Sequence, residues 1–84
     1  MKYTQFKPVY VVNEKFVVSE EPMTDEFLIN IKSVFQFYKV KYEINNQNQV
    51  LIAQDLWEDR DLMWNYTSKA NDPTWLKEHV RDYE

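Results

Sequence analysis

The sequence predicts a small α+β domain: a mainly antiparallel sheet of three to four strands with helices packed on one face, in the order β(β)αββαα. Three observations lead there. Short β-branched and aromatic runs are bounded by asparagine-rich turns, a capped segment carries apolar residues at helical spacing, and two aspartates mark later helix starts. The 84 residues, taken as one domain over 1–84, lie near the small end of what folds alone. Large side chains must then supply the core, and aromatics at 17% provide them.

Val9-Tyr10-Val11-Val12 and Phe16-Val17-Val18 flank Asn13-Glu14-Lys15 and read as a hairpin or one long bent strand, with Asn13 taking positive φ. Pro22 ends that region. Thr24 is an N-cap, and Asp25 and Glu26 place negative charge in the first turn, where the helix dipole favours it. The helix over 25–38 gathers Phe27, Leu28, Ile31, Val34, Phe35 and Tyr38 into a core stripe. Ile29, Ser33 and Phe37 form a second ridge on its polar side.

Val40, Tyr42 and Ile44 alternate with polar residues as a half-buried strand pairing with 49–53 across the Asn45–Gln49 turn. Val50-Leu51-Ile52-Ala53 is apolar on both faces and reads as a more central strand. Asp55 caps a helix running to Ala70, with Asn71 as a left-handed C-cap. Its core line is Leu56, Met63, Tyr66 and Ala70, and Trp57 and Trp64 lie one above the other on a flank. Asp72-Pro73 starts a last helix to about Asp82, with Trp75, Leu76, His79, Val80 and Tyr83 on one side. The helix–hairpin–helix over 25–70 superficially resembles the small αββα modules of secretion-system rings. That pattern carries no diagnostic motif and implies no function.

Composition excludes more than it suggests. Gly 0 removes phosphate-cradling loops, dinucleotide fingerprints and the nucleophile elbow, all of which need glycine's backbone freedom. Cys 0 removes a disulfide framework and, with no signal-like apolar core in Met1–Pro8, points to the cytoplasm. Asn65-Tyr66-Thr67 matches the glycosylation sequon and is read as chance. A net charge of −4 argues against direct nucleic-acid binding, which needs a basic stripe. No apolar run is long enough to span a membrane.

Two clusters suggest sites. Asp55, Glu58, Asp59 and Asp61 form the densest acidic run, but their spacing on a helix does not converge on a metal. The aromatics Phe16, Phe27, Phe35, Tyr42 and Trp75 read as core, while Phe37, Trp57 and Trp64 fall at the margins. His79, between Trp75 and Tyr83 at helical spacing, reads as a packed histidine with no catalytic partner. The expectation is a non-enzymatic protein-binding module without cofactor or metal, of the inhibitor, immunity-protein or small-subunit kind. Its expected partner surface is Ile29, Ser33 and Phe37 together with Trp57, Glu58, Asp61 and Trp64, and a homodimer is one form it would take. An acidic nucleic-acid mimic is the alternative, and a small carboxylate-based enzyme is third.

Overall fold

The computed structural model describes residues 2–80. The element order is β1 (Tyr3–Gln5), β2 (Val9–Val12), β3 (Lys15–Val18), α1 (Asp25–Phe37), β4 (Glu43–Ile44), β5 (Val50–Ala53), α2 (Gln54–Trp57), α3 (Arg60–Ala70) and α4 (Pro73–His79). The fold class is α+β, as the patterning predicts. β5 is the central strand of an antiparallel sheet ordered β1-β5-β4, and β2 and β3 form a separate two-stranded sheet.

Strand β1 is an addition to the expected order. Tyr3-Thr4-Gln5 shows no apolar alternation, yet it pairs antiparallel with β5, Tyr3 opposite Ala53 and Gln5 opposite Leu51. It leads Phe6 into the middle of the core, where that fully buried ring meets Phe35 edge-on at 5.4 Å. Phe35 in turn meets Tyr66 edge-on at 5.6 Å. Edge-to-face rings of this kind add to what their buried area already contributes. Ile31, Val34, Val50, Ile52, Met63 and Leu76 complete this core.

Helix α1 starts as expected, with the Thr24 hydroxyl accepting from the Phe27 amide at 3.1 Å. Its end does the work of a glycine without one. The Val40 amide donates to Phe35 O at 2.8 Å and the Lys39 amide to Gln36 O at 3.2 Å, with Lys39 left-handed at φ 58°. That is a Schellman closure with lysine at the position glycine usually holds. Reversing the chain occupies residues 38–42, so the expected strand over 40–44 shrinks to Glu43–Ile44. Val40 and Tyr42 still pack against the core, whereas Ile44 is exposed. The Asn45 carboxamide organises the following turn, accepting from the Gln47 and Gln49 amides, and Asn48 takes φ 61°.

Three other expectations need correction. The helix expected over 55–70 is two helices, because Asp59 caps α3 by accepting from the Leu62 amide and Asp55 lies inside α2. Asn71 is not left-handed; the turn into α4 is made by Asp72 in an extended conformation. Tyr38 and Phe16, both placed in the core by spacing, are exposed. Tyr38 sits past the last turn of α1, and Phe16 lies on a hairpin that projects from the core. Asp82 and Tyr83 lie outside the described residues.

Two buried polar side chains tie the layers together. The Asn30 carboxamide donates to Ala70 O at 3.2 Å, joining α1 to the end of α3. Thr67, fully buried, donates to Met63 O at 2.8 Å and accepts from the Val9 amide at 3.1 Å. One hydroxyl thus fastens the base of the β2–β3 hairpin to α3. It also seals the third residue of the Asn65-Tyr66-Thr67 sequon inside the protein.

Candidate functional site

The expected partner residues divide into separate environments. On α1, Ile29 is 60% exposed and Phe37 45% exposed, and the Ser33 hydroxyl between them is turned onto Ile29 O at 3.1 Å. Phe37 is not alone at its end of the ridge. It meets Tyr38, Trp75 and His79 edge-on at 5.0, 5.3 and 5.5 Å, so α4 partly covers it. The N-terminal segment, which carries Tyr3 and Phe6, goes to β5 and the core instead.

Trp57 and Trp64 do not share a flank, because the break at Glu58–Asp59 lies between them. Trp57 is half-buried, edge-on to Phe6 at 6.1 Å, with the Arg60 guanidinium 4.3 Å above its ring. Arg60 also donates to Trp57 O, which holds the ring on the body of the protein. Trp64 remains exposed on α3. Glu58 closes α2 and Asp61 lies in the first turn of α3, both exposed on either side of the break. The charges therefore serve two helix ends. Among the described residues, no group of three or more His, Asp or Glu side chains gathers as a metal would require.

His79 is exposed rather than packed in the core. Its ring stacks on Trp75 at 4.7 Å and 14°, and Nδ1 lies 3.0 Å from Trp75 O. That contact makes Nδ1 the protonated nitrogen of the neutral ring. The Tyr66 phenol is raised above its ordinary 10.0 by burial first, then by Tyr38 and Asp59. Tyr66 lies in the core and faces no nucleophile.

What sequence reasoning missed is the exposure of the β2–β3 hairpin. Its register sets Val11 opposite Phe16 on one face and Tyr10 opposite Val17 on the other. All four, with Val12, are between 41% and 50% exposed. Val9 at the base is buried, so the arm is anchored at one end and open on both faces. Asn13 and Glu14 form its two-residue turn with φ 51° and 65°, the type I′ geometry that matches strand twist. An unbroken apolar run is the pattern of a strand covered on both sides. Here β2 lies along α3, and both faces of the arm stay about half exposed.

No protein-family model matches this chain, and no curated protein or solved structure is significantly similar to it.

The site must therefore be judged on its chemistry. The hairpin offers apolar area and backbone hydrogen-bonding groups, and the open cleft at its base is lined by Lys7, Pro8, Ser19, Glu20 and Glu21. Another open cleft, lined by Lys2, Ala53, Gln54, Asp55 and Glu58, lies at the start of α2. Among the described residues, no helix is long and apolar enough to cross a membrane.

Proposed function

We propose that this chain is a non-enzymatic protein-binding module whose projecting β2–β3 hairpin enters a partner. The single observation that carries the reading is the exposure of Tyr10, Val11, Val12, Phe16 and Val17 on both faces of one arm. Contiguous apolar surface of this kind marks interaction sites, and a lone two-stranded hairpin gains little stability by itself. Trp64 adds an exposed aromatic on α3, the helix that holds the base of the arm. Aromatic anchors of this type dominate binding energy where they become fully desolvated. The same surface favours a protein partner over the acidic-mimic alternative, since a mimic must present rows of charge and this arm presents valines.

The test is capture by crosslinking from host cells, comparing wild type with the Tyr10→Ser, Val17→Ser double variant. Those side chains are exposed, so the fold should hold and its melting temperature should be monitored alongside. A defined partner lost on substitution is the expected result. An identical set of captured proteins from both would remove the hairpin from the binding surface.

A further inference from the structure

Resting on that reading, we infer that the outer edge of β3 takes an extended segment of the partner as an added strand, one with an apolar centre and a basic residue at each end. The two edges of the hairpin differ. On β2 the outward Val9 amide is already used by Thr67. On β3, the two-residue turn makes Val12–Lys15 and Tyr10–Val17 the hydrogen-bonded pairs, so the peptide groups of Phe16 and Val18 point away from β2. No backbone hydrogen bond among the described residues uses them. Folded proteins normally cover or blunt such an edge, and strand addition is the usual way a partner uses one.

Charge decides the occupant. Glu14 stands at one end of the edge and Glu20 at the other. Lys7 reaches Glu20 at 2.8 Å, but Glu21, Asp25 and Glu26 follow with no basic side chain between them. A second copy fits badly. Two-fold pairing of β3 with itself that sets Phe16 opposite Val18 also brings Glu14, at the turn, towards the second copy's Glu20. Like charges directly opposite destabilise a strand pair, and each copy carries a net −4. A strand with apolar residues opposite Phe16 and Val18, and a lysine or arginine at each end near Glu14 and Glu20, meets the edge without that conflict.

The probe is a blocked peptide, Lys-Thr-Val-Thr-Val-Thr-Lys, titrated to millimolar concentration and followed by the amide shifts of residues 14–20. Three controls accompany it: the peptide N-methylated at both valines, the peptide with glutamate ends, and the protein variants Phe16→Val and Phe16→Pro. The outward Phe16 amide is not needed by β2, so proline there removes an edge donor without breaking the hairpin ladder. Binding should survive Phe16→Val and fall at least about tenfold in Phe16→Pro, the effect of one lost backbone hydrogen bond. The methylated and glutamate-ended peptides should bind weakly or not at all.

Equal binding of the methylated peptide, which leaves the protein untouched, would overturn the inference even if Phe16→Pro failed to fold. So would no binding of the parent peptide, or a wild-type dimer in sedimentation that Phe16→Pro disperses. Each of those results leaves the module reading to the Tyr10, Val17 capture experiment, which tests the arm's faces and not its edge.

Discussion

Lys39 and Glu14 hold left-handed backbone at φ 58° and 65°, where a β-carbon crowds the chain. Asparagine tolerates that region, as Asn13 and Asn48 do; lysine and glutamate gain nothing from it. Relieving about 1–2 kcal/mol of crowding outweighs glycine's extra freedom when unfolded, so Lys39→Gly should stabilise by about 0.5–1 kcal/mol. For a domain of this size that raises Tm by several degrees in calorimetry, at about 4–8 °C per kcal/mol. Glu14→Gly should act the same way. Tyr66 adds a sensitivity to alkali. Burial raises its pKa, so above the ordinary 10.0 the unfolded chain releases the phenolic proton first. Stability therefore falls as pH climbs from there towards the folded pKa. In denaturant titrations at rising pH, Tyr66→Phe should flatten that loss.

At the scale of elements, Thr67→Val keeps the shape of the side chain but strands the Val9 amide. A buried donor without its acceptor costs about 1–3 kcal/mol. The loss should fall on the hairpin base, seen as faster amide exchange at Val9 while α1 stays protected. Asp59→Ala should cost about 1 kcal/mol by uncapping α3, and Asp55→Ala much less. Elements with strong local signals were legible in the sequence: α1 from Thr24 and its stripe, β5 from its two-sided apolarity, and α4 from Asp72-Pro73. What was not legible depended on distant partners. Nothing local marks Tyr3-Thr4-Gln5 as a strand until β5 lies beside it. The break at Glu58–Asp59 was hidden because both flanking segments keep helical spacing and Asp55 and Asp59 are equally good caps.

For the whole molecule, Phe35→Ala should cost about 2–5 kcal/mol, since it empties the site where Phe6, Tyr42 and Tyr66 meet. A domain this small should lose much of its folded population, measurable by denaturant melts. Phe37→Glu tests a gentler joint. With Phe37 half exposed against Trp75 and His79, the charge should loosen α4 first, seen as a red-shifted Trp75 emission before any global melting. Of the expected partner residues, Ile29, Phe37 and Trp64 lie exposed. Val9–Val12 and Phe16–Val18 read as a hairpin or one bent strand with the composition of core, and only the tertiary structure shows how much of them stays exposed.

The burial of Thr67 has a consequence in time. Asn65-Tyr66-Thr67 is an acceptor for glycan transfer only while the chain is open; once α3 forms and Val9 docks, the hydroxyl is sealed. Sent through a glycosylating compartment behind a leader sequence, the protein would carry a stopwatch. The fraction of molecules gaining a glycan at Asn65, read by mass, would report how folding races the transferase. Val9→Ala, which weakens the docking and leaves the acceptor motif untouched, should raise that fraction.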